Sequence, residues 1–151
     1  MPTIDETIAF IEKANAGQTD RGGAPYDLHP VAVMRRLPAD VDDEVRLAAL
    51  LHDVIEDTPY TREDLAAMGY SARTLEAVDW VTQTPGDTRS YPEKIAAIIA
   101  GGNMDAIQVK FADMSENADP ERLARLDAES RAYFIGKYAA PLEALKAALD
   151  R

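Results

Sequence analysis

The sequence predicts an all-α fold, one compact helical bundle, and three observations carry that expectation. Apolar residues recur at helical spacing through nearly the whole chain, and no segment alternates as a half-buried strand does. The interruptions fall at Pro, Gly and Ser/Thr/Asp/Asn positions of the kind that start or stop helices. With 151 residues, the chain suits a single domain spanning 1–151 with its own hydrophobic core.

Element by element, Thr3 and Glu6 form a capping-box pair ahead of a helix whose inner face carries Ile4, Ile8 and Ile11. Residues 14–25, with three glycines and a closing proline, read as a loop. His29-Pro30 reads as a helix start with proline in the first position, and that helix must end before Pro38. Residues 43 to 57 predict one strongly apolar helix around Val45, Leu47, Leu50, Leu51, Val54 and Ile55, apolar on most of its circumference and so central. Thr58-Pro59 stops it. Thr61 and Asp64 cap a short helix ending near Gly69, and another runs from 71 to 82 with Leu75, Val78 and Val81 inward. Ser90 to Glu93 combine a capping box with an early proline, and Gly101-Gly102 end that helix. Asn103 opens the next, carrying Ile107, Phe111 and Met114 until Asp119-Pro120 breaks it. A last helix starts at 127 and carries Tyr138, Leu142, Leu145 and Leu149.

Composition narrows the function classes. There are no cysteines, which removes disulfides and thiolate metal sites and suits a reducing compartment. The opening MPTIDETIAF lacks the basic start and apolar block of a signal peptide, and no apolar run approaches the ~20 residues of a membrane span. A cytoplasmic protein with no membrane partner is expected. The net charge of −11, from 27 acidic and 16 basic residues, repels a polyanion, because nucleic-acid binding depends on clustered cations. A small phosphorylated ligand needs only local cations or a metal.

The chemistry concentrates in Leu51-His52-Asp53-Val54-Ile55-Glu56-Asp57-Thr58, inside the most apolar segment. Burying ionisable groups there costs several kcal/mol each unless something compensates them. A lone His-Asp dipeptide is most simply a structural pair at a helix end; Glu56-Asp57 in the same apolar segment changes that reading. Glu56 lies four residues after His52 and three after Asp53, so on a helix all three face one site. The other histidine of the chain is His29. Asp113 closes the apolar stretch Val109-Lys110-Phe111-Ala112, with Asn117 one turn later. Two imidazoles and two carboxylates form a mixed nitrogen–oxygen set that suits Mn²⁺, Fe²⁺ or Zn²⁺ and leaves room for water.

In order, His29-Pro30, His52-Asp53, Glu56-Asp57-Thr58 and Val109 to Asp113 with Asn117 resemble the motifs of the HD superfamily. Together with Gly17-Gln18 and Pro25-Tyr26, they most resemble the hydrolase domain of the RelA/SpoT alarmone enzymes and the Mesh1-like small alarmone hydrolases, over roughly residues 10 to 140. The resemblance implies a single metal, typically manganese, held by His29, His52, Asp53 and Asp113. It implies catalytic work for Glu56 and Asp57, and nucleotide contacts from Arg21, Tyr26 and Asn117. Lys94, Lys110 and Arg131 are further candidates for phosphate contacts, as is Arg89. One departure stands out: where the family has an Arg-Lys pair whose arginine packs on guanine, this chain has Asp20-Arg21.

The implied activity is metal-dependent removal of the 3′-pyrophosphate from guanosine tetra- and pentaphosphate. The alternatives are a phosphatase for another nucleotide (a nucleoside monophosphate, the adenosine alarmone or NADPH), or a non-catalytic module that binds alarmone. No cysteine and no Gly-x-Ser-x-Gly motif is present to supply a covalent nucleophile.

Overall fold

A computed structural model of the protein describes residues 1–17 and 28–151. Among the described residues all regular structure is helical: α1 (Ile4–Ala14), α2 (Leu28–Arg35), α3 (Asp43–Leu51), α4 (Val54–Asp57), α5 (Arg62–Ala67), α6 (Ala72–Val81), α7 (Tyr91–Gly101), α8 (Met104–Asn117), α9 (Pro120–Leu123) and α10 (Ala128–Leu149). None of these helices is long and apolar enough to cross a membrane.

α3 is the hub. It packs against α1, α2, α6 and α8, and Leu47, Ala48, Ala49, Leu50 and Leu51 are all fully buried. Consecutive residues point to all sides of a helix, so this run finds apolar partners in every direction. Burial of each leucine contributes roughly 1.5–3 kcal/mol, which makes α3 a rigid frame for whatever its end carries. α8 forms the second inner element, packed on α2, α3, α6 and α10 through buried Ile107, Val109, Ala112 and Met114.

The helix starts follow the sequence closely. Thr3 with Glu6, Thr61 with Asp64 and Ser90 with Glu93 each close a reciprocal capping box, and Asn103 and Asp127 cap α8 and α10. Gly102 ends α7 in the left-handed region at φ 72°, where an L side chain would be strained.

Three features differ from the sequence expectation, and a fourth, the proline inside α10, adds to it. α2 begins at Leu28, so Pro30 is its third residue rather than its first; its missing N–H is harmless there, because the first-turn donors have no intrahelical acceptor. The short helix α9 follows Pro120, with the Asp119 side chain accepting from the backbone N–H groups of Glu121 and Arg122. α10 runs through a buried interior proline, Pro141. Most consequential, the predicted helix over 43–57 is interrupted after Leu51. The Ala49 carbonyl accepts from the His52 backbone N–H at 3.5 Å and from His52 Nδ1–H at 2.6 Å. Asp53 takes φ −108°, ψ −1°, and a fresh turn starts with Asp57 N–H donating to the Asp53 carbonyl at 2.9 Å.

Candidate metal centre

The interruption creates the site. On a continuous helix adjacent residues point about a hundred degrees apart and do not face each other. Here the turn at 52–53 brings His52 Nε2 to 3.1 Å from Asp53 Oδ2. From α2, His29 places Nε2 2.9 Å from Asp113 Oδ1, and the same carboxylate oxygen on α8 lies 3.4 Å from His52 Nε2. Ligand atoms of His29, His52 and Asp53 all fall within 4.8 Å of one another, and the two imidazoles lie 5.5 Å apart, centroid to centroid. His29, His52 and Asp113 are buried and Asp53 is half-buried. The four residues named from the sequence therefore converge, across 84 positions of chain from His29 to Asp113.

The donor set fits a divalent cation. Because His52 Nδ1–H donates to the Ala49 carbonyl, Nε2 is the nitrogen left facing into the cluster, the arrangement found at histidine metal ligands. Nε2 is fully buried and makes no hydrogen bond of acceptable geometry, while two carboxylate oxygens stand within salt-bridge distance of it. Two carboxylates facing one buried imidazole nitrogen call for a positive charge there, either a proton on Nε2 or a bound cation. The electrostatics agree: burial works against a charged His52, but Asp53 and Asp113 outweigh it and push the imidazole well above its usual range. For Asp113, burial raises the pKa, but Lys110, His52 and the hydrogen bond to His29 overcome that and hold it well below the usual carboxylate range. The His/Asp cluster could hold a metal ion, and its mixed nitrogen–oxygen donors suit a divalent one.

Asp113 is also held from its own helix. Lys110 Nζ donates to Oδ2 at 3.2 Å and Asn117 Nδ2 to Oδ1 at 3.3 Å. The sequence predicts both residues as substrate contacts; the structure gives each a contact with the Asp113 carboxylate. Lys110 remains charged, since Asp113, Tyr91 and Asp53 outweigh the cost of its burial. Tyr91, half-buried, is pushed up to about 12, first by burial, with Asp113 adding to the rise and Lys110 opposing it. Its ring has Lys110 Nζ at 5.9 Å and Lys137 Nζ at 4.5 Å from the centroid.

Glu56 and Asp57 sit on α4, immediately after the turn. A Glu56 carboxylate oxygen accepts from the backbone N–H of Gln83, and burial together with Asp53 and Asp57 raises its pKa while that hydrogen bond opposes the rise. Both residues line an open cleft with Arg62, Asp79 and the 82–87 turn. Lys94 donates to Gln83 Oε1 at 3.3 Å, and Arg89 pairs with Asp87 at 2.7 Å. Arg131 differs from its sequence reading: its guanidinium donates to the carbonyls of Leu123 (3.3 Å) and Leu126 (3.0 Å), closing the end of α9 onto α10. Asp20, Arg21 and Tyr26 lie outside the described residues. Three contributors escaped the sequence: the Ala49 carbonyl, the Gln83 backbone and Tyr91. The first two act through main-chain atoms and leave no residue-type signal; Tyr91 was visible only as part of a helix cap.

No family model matches the chain. The guanosine-3′,5′-bis(diphosphate) 3′-pyrophosphohydrolase of Haemophilus influenzae is 36% identical over 114 residues, covering 69% of this chain and 16% of that protein. The enzyme of the same name, MESH1, from Danio rerio is 38% identical over 93 residues, 58% of this chain and 49% of that protein. The bifunctional (p)ppGpp synthase/hydrolase SpoT of Escherichia coli is 34% identical over 114 residues. The chain thus spans about a sixth of the long bacterial proteins and about half of the zebrafish one. A solved structure described as a metazoan orthologue of SpoT that hydrolyses ppGpp superposes with a TM-score of 0.72 at 24% identity, covering 99% of this chain and 94% of that one. Its fold is shared from end to end. By sequence and by architecture, the chain belongs to the HD-domain family of MESH1 and SpoT.

Proposed function

We propose that the protein is a metal-dependent phosphohydrolase that removes the 3′-pyrophosphate from guanosine tetra- and pentaphosphate in the cytoplasm, with His29, His52, Asp53 and Asp113 holding one divalent ion, by preference Mn²⁺. The observation that carries this reading is the buried convergence of those four side chains around an imidazole nitrogen that faces two carboxylates. The relatives' names, each a guanosine bis(diphosphate) pyrophosphohydrolase or SpoT, supply the substrate class.

A bound divalent ion would neutralise phosphate charge and lower the pKa of water. Around it, Glu56, with its raised pKa, accepts a proton from the attacking water, since a base titrating nearer neutrality transfers protons more effectively than an ordinary carboxylate. The Gln83 N–H fixes one oxygen of that carboxylate and leaves the other for the water. Asp57 orients Glu56 or the water. Lys110 and Lys94 take phosphate oxygens as charge develops, and Asn117 holds Asp113 while reaching toward the nucleotide. Arg21 and Tyr26 are the further nucleotide contacts that the family resemblance implies. Arg131, engaged with two carbonyls, orders α9 and α10 in this reading and bears on substrate only through them.

A second reading, hydrolysis of a different nucleotide, is favoured by Asp20, a carboxylate where a base-stacking arginine is expected. A Mn²⁺-supplemented screen of phosphate and pyrophosphate release separates the two: guanosine tetraphosphate, its adenosine analogue, nucleoside monophosphates and NADPH are compared side by side. Pyrophosphate release from the guanosine compound, abolished by Asp53→Ala, is the expected result. Release that survives Asp53→Ala would break the mechanism, and turnover confined to another substrate would favour the second reading.

A further inference from the structure

The chain's single tryptophan, Trp80, is 44% exposed and lies on the last turn of α6. It lines a cleft between α6 and α7 together with Val81, Gln83, Tyr91, Lys94 and Lys110. The two ends of that cleft differ in chemistry. One is cationic and adjoins the metal centre, for Lys110 Nζ is 3.2 Å from Asp113 Oδ2 and Lys94 Nζ 3.3 Å from Gln83 Oε1. The Asp87 carboxylate in the lining is neutralised by Arg89 at 2.7 Å. The other end is aromatic, with an indole that the protein leaves partly open to solvent.

The indole is seated deliberately. A Cβ at Gly101 would stand 2.5 Å from Trp80 Cη2, 2.7 Å from Cζ3 and 2.8 Å from Cζ2, closer than real Cβ atoms approach any neighbour. The left-handed turn that ends α7 belongs to Gly102, so Gly101 has no backbone need to be glycine. Within a helix, glycine is less stable than alanine by roughly 0.5–1 kcal/mol. What the missing side chain provides is room for a flat ring, which rests on the end of α7 and is held in one orientation.

We propose that Trp80 is the stacking platform for the substrate's nucleobase, with the phosphates directed along the same cleft toward Lys94, Lys110 and the metal centre. A cleft with ammonium groups at one end and a fixed aromatic plane at the other matches the polarity of a nucleotide, because every base offers a π-face and every phosphate a negative charge. The proposal rests on the nucleotide-hydrolase reading and names how that site selects its ligand.

Because Trp80 is the chain's one indole, its fluorescence reports the platform directly. The full protein, at constant Mn²⁺ and excited at the red edge of the indole band, is titrated with GDP and separately with inorganic pyrophosphate. Saturable quenching by GDP and none by pyrophosphate is expected. In steady-state assays with guanosine tetraphosphate, Trp80→Ala raises KM about tenfold while kcat changes less than about threefold, as loss of one base–aromatic stack implies; Trp80→Phe recovers most of the difference. Gly101→Ala, which displaces the ring without removing it, shifts the emission and raises KM, and it keeps the test open should Trp80→Ala fold poorly. An emission insensitive to GDP in a protein that hydrolyses the alarmone, or a wild-type KM in a folded Trp80→Phe and Gly101→Ala pair, overturns the platform. Quenching by GDP in a protein that hydrolyses no nucleotide would overturn the catalytic reading and support the platform.

Discussion

Near the N-terminal end of α8, Asp105 joins Asp42 and Glu44 around Arg73; further along the same helix, Asp113 joins Asp53 around His52. Both clusters gather carboxylates on one nitrogen base. At the first, the Arg73 guanidinium supplies enough donors, with Asp42 at 2.6 Å, Asp105 at 2.8 Å and Glu44 at 2.9 Å, and its side chain is 45% exposed. At the second, the His52 side chain is 3% exposed and its inward nitrogen makes no hydrogen bond, with two carboxylate oxygens near it. A permanent cation in contact with water closes the first cluster. In the second, Lys110 pairs with Asp113, and the charge of two carboxylates facing one imidazole lies where water screens it poorly. Acidic clustering alone is therefore uninformative; burial and the supply of donors distinguish the structural tie at Arg73 from the proposed metal site at His52.

The comparison breaks most sharply at Asp113. Asp113→Ala is expected to lower Mn²⁺-dependent hydrolysis about a thousandfold or more, the equivalent of several kcal/mol of charge stabilisation, with helical content by circular dichroism retained. Hydrolysis near the wild-type rate would place the metal elsewhere. Removing a residue that only orients Asp113 has a smaller effect. Asn117→Ala should weaken Mn²⁺ binding by about 10- to 100-fold, read by calorimetric titration of the metal, whereas an unchanged affinity would limit Asn117 to the nucleotide. Metal removal tests the buried cluster itself. Saturating Mn²⁺ at about a hundred times its Kd adds about 2.7 kcal/mol, so a chelator should lower Tm by about 5–10 °C. Arg73→Ala should leave that increment intact, since its cluster needs no ion.

At the exposed cluster the expected effects are modest. Arg73→Ala should cost at most about 1 kcal/mol in denaturant unfolding, with the difference shrinking at high salt, because solvent-exposed pairs are screened. The smallest effect is in pH dependence. Hydrogen bonding to Arg73 holds Asp42 below its ordinary pKa. The unfolded chain therefore takes up this proton first as pH falls, so the stabilisation is complete above the usual carboxylate pKa of about 3.9 and is lost below it. Unfolding curves between about pH 5 and pH 3 should fall more steeply for the wild type than for Arg73→Ala; parallel curves would mean that the pair contributes nothing.

The sequence and the structure agree where local signals decide. Ser90 and Glu93 identify the start of α7 because a capping box is written in four adjacent residues, and the run from Val45 to Leu51 identifies a central helix because its apolar side chains cover every side. His52 and Asp53 stand out in the sequence as polar residues in an apolar segment, whereas His29 and Asp113 are named through the resemblance to the HD superfamily; the structure brings the four together. What escaped depended on backbone atoms. The interruption at His52 arises from competition for the Ala49 carbonyl, which periodicity cannot reveal, and the link from Glu56 to Gln83 ends on an amide that every residue except proline has. Arg131 looked available for phosphate because its two acceptors are carbonyls, equally anonymous in sequence. α9 was missed because four residues hold no period.

The turn at His52 and Asp53 has a kinetic consequence. Two neighbouring residues that face one point act as a chelate: when either donor lets go, the other keeps the ion at high effective concentration for recapture. An ion held as proposed would escape only by losing both of these donors together with those of His29 and Asp113, so its residence time should exceed that at a site whose donors all come from separate helices.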